Sequence, residues 1–137
     1  MESHLSLSDQ KFIHKFKAAT LPPSLFNHEA HLRLAWLNIK RFGIKDGIVE
    51  TCQLINAYVI ALDAENKFNK TLTVAATKAV YHFMLKSELD SFEDFIDTFK
   101  RLKFNFKELM AAHYSFDIYN SEFAKKNYLA PDLLPFD

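Results

Sequence analysis

Residues 27–36 read Asn27-His28-Glu29-Ala30-His31-Leu32-Arg33-Leu34-Ala35-Trp36. At about 100° per residue, this stretch winds into a helix with a continuous stripe on one side. The stripe carries His28, His31, Leu32, Ala35, Ile39 and Phe42. Glu29, Arg33 and Lys40 fall elsewhere on the helix surface, so the pattern predicts an amphipathic helix whose two histidines point inward.

The composition extends the helical prediction to the whole chain. The 137 residues include only 2 glycines and 4 prolines, whereas strands joined by tight turns need more of both. The 14 phenylalanines, 5 tyrosines and 1 tryptophan predict a core built largely from aromatic rings. We therefore expect an all-α protein, a compact bundle of about six helices that forms a single domain over residues 1–137.

Capping and breaking residues set the expected helix boundaries. A first helix begins after Ser8 and is ended by Leu21-Pro22-Pro23, because a residue before proline is pushed out of the helical region. Asn27 caps a second helix over residues 28–43, and Gly43 suits a left-handed C-terminal position. Further helices are expected over residues 46–62 and 67–86, after Ser91, from Asn105 with Glu108 as capping-box partner to His113, and briefly after Ser121.

Charge and hydropathy exclude two classes of partner. The 17 basic residues balance 17 acidic ones and neither sign forms a long block, so we predict no nucleic-acid partner. The longest apolar run, residues 57–62, is far too short to span a bilayer, so no membrane partner is predicted. The N-terminus lacks the pattern of a secretory signal, and a lone cysteine forms no intrachain disulfide. We expect a cytoplasmic protein, and the sequence leaves the oligomeric state open.

His28 and His31 are the strongest candidates for chemistry. Burying two imidazoles costs free energy unless each ring nitrogen finds a hydrogen-bond partner, a metal or a ligand. The pair is therefore either a structural polar network or a site. As a site, His28 and His31 would serve as hydrogen-bonding or acid–base catalytic residues in a pocket at the start of the second helix.

A second polar helix start lies in the predicted fourth helix, where Asn69 and Thr73 share the inward face one turn apart. If this start meets that of the second helix, both side chains would orient a ligand beside the histidines. The alternative interpretation makes Asn69 an N-terminal cap. Trp36, Lys70 and Tyr114 complete the predicted ligand-binding residues.

The two histidines do not make a metal site by themselves. The helical zinc signature places histidines at i and i+4 around a glutamate, whereas His28 and His31 are at i and i+3 and Glu29 points away from the stripe. A stable zinc or iron site needs about three or four ligands, so we predict no bound transition metal, and the sequence names no cofactor. Among the lower-ranking candidates, His4 is expected in a disordered terminus and Cys52 in the core.

Two longer patterns run through these residues. Residues 26–36 fit the pattern F-x-H-x-x-H-L-R-L-A-W, and residues 71–73 fit the last three positions of Y-H-E-T-L-T. Leu21-Pro22, Tyr114-Ser115, Ser121 and residues 131–133 follow the same order. Together these segments resemble an uncharacterised family of small bacterial helical proteins, and the resemblance implies a helical fold but no particular activity.

This chain departs from the second pattern at its first three positions, where Phe68, Asn69 and Lys70 replace tyrosine, histidine and glutamate. A third histidine and a carboxylate are the groups that would complete a metal site with His28 and His31. Their absence supports the prediction of no bound metal.

Two functions are compatible with these features. The first is a small-molecule-binding protein, with or without catalysis, that uses the histidine-lined pocket. The alternative is a non-catalytic protein-interaction module in which the histidines only fix the packing of helices and a partner meets an exposed aromatic surface.

Overall fold

The computed structural model describes residues 3–136, and these residues contain seven α-helices and no strand, which confirms the all-α prediction. Three short 3-10 helices span His4–Ser6, Pro23–Leu25 and Glu65–Lys67. The α-helices are α1 (Asp9–Lys17), α2 (His28–Ala61), α3 (Lys70–Met84), α4 (Phe92–Thr98), α5 (Arg101–Phe104), α6 (Phe106–His113) and α7 (Glu122–Lys126). Helix α5 has only four residues, and the sequence did not predict it.

The chain divides between Phe68 and Asn69 into two compact units, which we call the N-terminal unit and the C-terminal unit. Helices α1 and α2 belong to the first, and helices α3 to α7 belong to the second. A single domain over residues 1–137 stays a prediction.

Helix α2 reverses direction at Gly43, so that its two arms, residues 28–42 and 44–61, form a helical hairpin. Gly43 has φ 83° and ψ 176°, a combination that is essentially restricted to glycine. Gly47 lies against the other arm, because a Cβ added there would come within 3.2 Å of the Ile39 backbone. The hairpin is also joined by a hydrogen bond of 3.0 Å from Asn38 Nδ2 to Thr51 Oγ1. The sequence predicted these arms as separate helices and correctly placed the break at Gly43.

The core of the N-terminal unit is an aromatic cluster between α1 and the two arms of α2. Phe16 stacks on Tyr58 with 4.5 Å between ring centroids, and Phe26 packs against both rings. The Tyr58 hydroxyl donates to the Leu21 carbonyl at 2.6 Å, so the polar end of this buried ring is satisfied. Rings from three separate segments of the sequence therefore meet as the chain reverses.

Helix α1 ends earlier than the sequence predicts, because Ala19 rather than the proline pair stops it. Ala19 adopts a φ of 58°, and Thr20 N donates to the Lys15 carbonyl at 2.8 Å. This is a Schellman ending, in which glycine is the usual left-handed residue. Asp63, with the same φ, ends α2 in the same way, since Ala64 N donates to the Val59 carbonyl at 2.7 Å.

Side-chain caps begin most of the helices, as predicted. Ser8, Asn27, Ser91 and Ser121 each accept a hydrogen bond from the backbone N–H three residues later. The capping box predicted at Asn105 is wrong. Asn105 makes no side-chain capping bond, because its backbone, at φ −127° and ψ 33°, ends α5 and leads directly into α6.

The C-terminal unit is organised around α3, which packs against α7. Helix α3 begins at Lys70, three residues later than predicted, because Asn69 accepts from Leu72 N and serves as its cap. The segment after α7 stays in contact with the unit, since Leu133 N donates to the His113 carbonyl at 3.0 Å.

Candidate functional site

The two histidines at the start of α2 lie in different environments. The Asn27 side chain accepts from Ala30 N at 2.9 Å and fixes the first turn. His31 is largely buried, and its ring lies 3.9 Å from that of Phe26, centroid to centroid. His28 is exposed, so the prediction that both rings point inward is wrong for this residue. Position 28 lies in the first turn, where the chain enters the helix, and the neighbouring elements do not cover it.

Burial gives His31 an unusual titration. Loss of hydration, with a smaller contribution from the nearby His28, lowers the pKa of His31 from 6.5 to about 4. The ring is therefore neutral at neutral pH. Both interpretations of the histidine pair, a structural polar network and a site, stay predictions.

Asn69 has the capping role that was the alternative interpretation. Its amide oxygen caps α3, and its Nδ2 donates to the Ile118 carbonyl at 2.8 Å. Lys70 is exposed and Thr73 is half-buried. These residues belong to the C-terminal unit, whereas His28 and His31 belong to the N-terminal unit, so convergence of the two helix starts stays a prediction.

The two aromatic residues of the predicted site are both buried. Trp36 is 3% exposed, as expected from its position beside the stripe, and Lys40 Nζ lies 5.2 Å from the centre of its ring. Tyr114 is 4% exposed, and its hydroxyl donates to the Leu129 carbonyl at 2.8 Å. Burial, followed by the adjacent Tyr128 and Asp132, raises the pKa of Tyr114 well above its ordinary value.

A buried polar cluster that the sequence did not predict fixes the chain before α1. His4 is fully buried, so its placement in a disordered terminus is wrong. Its Nε2 lies 2.8 Å from Glu29 Oε1, and its Nδ1 lies 3.3 Å from an Arg33 nitrogen. Since the carboxylate accepts and the guanidinium donates, these contacts fit the neutral ring with its proton on Nε2. Glu29 points away from the histidine stripe, as predicted, and toward His4.

Arg33 is the centre of this cluster. It is 4% exposed and donates to the carbonyls of His4 at 2.6 Å and Leu7 at 2.8 Å. It also pairs with the partly exposed Asp9 at 2.8 Å, and its guanidinium lies 4.7 Å from the centre of the Phe12 ring. We call His4, Asp9, Glu29 and Arg33 the N-terminal clamp, because they fasten residues 4–9 to α2.

A second polar cluster fastens the chain after α7. The Thr71 hydroxyl donates to the Asn127 carbonyl at 2.7 Å and accepts from Leu129 N at 3.0 Å. We call Asn69, Thr71 and Tyr114 the C-terminal clamp, because all three hold backbone groups of residues 118–129. Thr71 and Tyr114 both lie in segments that carry the resemblance to the bacterial helical family. A sequence pattern of this kind does not distinguish a structural from a functional role.

The N-terminal unit also contains an open groove of about 470 Å³ between α1 and residues 37–42. Its apolar lining consists of Ile13, Leu37 and Phe42. Its polar lining consists of Asp9, Gln10, His14, Lys17, Asn38, Lys40 and Arg41. None of the predicted site residues lines this groove, which lies toward the far end of the first arm of α2 from His28 and His31.

The sequence gave only a partial signal for this groove. Phe42 lies on the histidine stripe, and Ile13 lies on the apolar side of α1. Their approach depends on how α1 packs against α2, which helical periodicity does not specify. Trp36 is connected to the groove through Lys40, which lines the groove and lies over the indole ring.

Comparison with family models, curated proteins and solved structures finds no match, so the resemblance described above stays a prediction. Within residues 3–136, no three histidine, cysteine or acidic side chains are grouped as metal ligands would be. No helix in the described part of the chain has both the length and the apolar character needed to cross a bilayer.

Proposed function

We propose that the N-terminal unit binds a small molecule in the groove between α1 and residues 37–42. The observation that carries this proposal is the groove itself, whose volume of about 470 Å³ is in the usual range for small-molecule sites. Its lining combines apolar side chains with several hydrogen-bond donors and cations. The apolar side chains would cover the body of a ligand, and the polar groups would fix its orientation.

The proposal assigns no reaction. Catalysis by His28 and His31, with ligand contacts from Trp36, Asn69, Lys70, Thr73 and Tyr114, stays a prediction, and none of these residues lines the groove. We place the binding function in the cytoplasm. The chain has a single cysteine and so no intrachain disulfide, which is typical of proteins in a reducing compartment.

The proposal is tested by screening a library of small aromatic and aliphatic compounds against the isotopically labelled full chain by NMR. We expect at least one compound to shift the backbone amides of residues 9–17 and 37–42, with a Kd of about 1 mM or tighter. Phe42→Ala should weaken this compound, because Phe42 contributes exposed apolar surface to the lining.

Phe104→Ala is the matched control, since Phe104 is also exposed but belongs to the C-terminal unit. The proposal is contradicted if no compound shifts the amides that line the groove. It is also contradicted if Phe104→Ala weakens the bound compound as much as Phe42→Ala does.

The protein-interaction module remains the second candidate function, and one observation favours it. Val49 and Ile60 are each more than half exposed, on the second arm of α2. They are 11 positions apart, which places them on nearly the same side of a helix. If this arm binds a protein, Val49→Ser with Ile60→Ser should abolish association with that protein in sedimentation experiments. The same double variant should leave the amide shifts caused by the groove compound unchanged.

A further inference from the structure

We propose that the ligand of the groove is a small amphipathic anion, an aromatic group that carries one carboxylate or sulfonate, and that Lys40 and Arg41 bind its acidic group. This inference rests on the proposed binding function and adds the chemical class of the ligand.

The groove carries a local excess of positive charge. The groove is lined by three cationic side chains, Lys17, Lys40 and Arg41, and by a single carboxylate, Asp9. Asp9 is already paired with Arg33 at 2.8 Å, so its charge is largely compensated within the protein. The whole chain has a formal net charge of zero, so this excess belongs to the groove and not to the overall composition.

Aromatic rings hold two of these cations in place. Lys40 Nζ lies 5.2 Å from the centre of the Trp36 ring, and the Arg41 guanidinium lies 5.3 Å from that of Phe42. Cation–π contacts at these distances already restrict the rotamers of both side chains in the free protein. A preorganised cation binds an anion at a lower entropic cost.

The groove also has apolar surface that the rest of the ligand would cover. Ile13, Leu37 and Phe42 offer apolar surface beside the cations, and Phe42 is 39% exposed. A simple inorganic anion would leave this surface in water, whereas a planar aromatic body would cover it. The combination of apolar surface and cations therefore favours an amphipathic anion.

The test uses a pair of probes that differ by one acidic group. The probes are 8-anilinonaphthalene-1-sulfonate and its uncharged counterpart N-phenyl-1-naphthylamine. Trp36 is the only tryptophan, so energy transfer from its ring to the probe reports binding of the probe to the protein. We expect the sulfonate to bind at least about tenfold more tightly than the uncharged probe, because charge-assisted contacts are the stronger ones.

Variants assign that difference to named residues. Lys40→Gln with Arg41→Gln should reduce sulfonate affinity about tenfold and leave the uncharged probe within about twofold, since only the charged contact is lost. Both residues are exposed, so the folded state should tolerate the change. Lys11→Gln is the control, because Lys11 is an exposed lysine of α1 that does not line the groove.

The outcomes separate this inference from the function on which it rests. Equal binding of the two probes, or an unchanged sulfonate affinity in the double variant, overturns the anionic ligand while the groove still binds small molecules. Absence of binding by either probe, together with no compound that shifts the amides of residues 9–17 and 37–42 in the NMR screen, overturns the proposed function itself.

Discussion

The two clamps perform the same structural task with different chemistry. The N-terminal clamp holds residues 4–9 through a buried guanidinium and two carboxylates, whereas the C-terminal clamp holds residues 118–129 through neutral amide and hydroxyl groups. A buried charge that loses its partner costs much more than a neutral group that does so. The N-terminal unit should therefore be the more sensitive one to substitution.

Backbone conformation adds to this difference. In the described part of the chain, the residues with positive φ are Ala19, Gly43 and Asp63, and all three lie in the N-terminal unit. Left-handed conformations cost free energy for residues other than glycine. The N-terminal unit thus combines a buried charge with strained turns. In its described residues, the C-terminal unit has neither.

The largest expected effect is that of removing the central charge of the N-terminal clamp. Arg33→Met leaves the carbonyls of His4 and Leu7 without their donor, and it should lower the free energy of unfolding by about 3–5 kcal/mol, because each unpaired buried carbonyl costs about 1–3 kcal/mol. Urea unfolding followed by Trp36 fluorescence measures this change. Arg41→Met, at an exposed arginine, should stay within about 0.5 kcal/mol, and equal losses in the two variants would refute the central role of Arg33.

The second effect is acid sensitivity of the N-terminal unit, which has a separate origin in the burial of His31. The pKa of His31 is about 4 in the folded state against 6.5 in the unfolded chain, so the unfolded state binds more protons between these values. Stability should be fully present above pH 6.5 and fall toward pH 4, by as much as about 3 kcal/mol at 1.36 kcal/mol per pKa unit.

His31→Phe should flatten this pH dependence of Trp36-detected unfolding, while His14→Phe, at an exposed histidine, should preserve it. In the C-terminal unit, hydrogen bonds from Asn120 and Ser115 lower the pKa of Asp117 and Asp132 from 3.8. The stability that these carboxylates contribute is lost only as the pH falls through their lowered pKa values. If the protection of amides from hydrogen exchange decreases equally in both units between pH 6.5 and 4, the comparison is contradicted.

The third effect is that of breaking the C-terminal clamp. Thr71→Val preserves the shape of the side chain but leaves the Asn127 carbonyl and Leu129 N without their partner, which should cost about 1–3 kcal/mol. Thermal unfolding of the variant measures the loss, and Thr73→Val serves as the control because its hydroxyl lies outside the clamp. A loss as large as that of Arg33→Met would remove the distinction between charged and neutral clamps.

The smallest effect is a gain in stability in the N-terminal unit. Ala19→Gly should stabilise the protein by at most about 1 kcal/mol, because glycine adopts the φ of 58° without steric cost. The same replacement at Ala18, whose φ is −79°, should destabilise or have no effect. Differential calorimetry distinguishes the two, and a gain in both variants would show that Ala19 is not strained.

Local signals predicted the helices well. Ser8, Asn27, Ser91 and Ser121 cap helices as expected, because each capping bond joins a side chain to a backbone group three residues away. The break at Gly43 was also predictable, since its conformation is one that other residues avoid. The candidate site was less predictable, because helical periodicity gives the direction of a side chain but not what covers it. His28 is exposed and His4 is buried, opposite to expectation in both cases.

By itself, the sequence determined an all-α protein, most of its helix starts, the break at Gly43 and the burial of Trp36. Only the tertiary structure decided the two clamps and the groove between α1 and residues 37–42. The physical reason is the separation of the groups involved. The Arg33 and Asp9 partners are 24 residues apart, and Leu129 and Thr71 are 58 apart. Such contacts form only when packed helices bring distant segments together, and no local hydrogen bond or helical period encodes them.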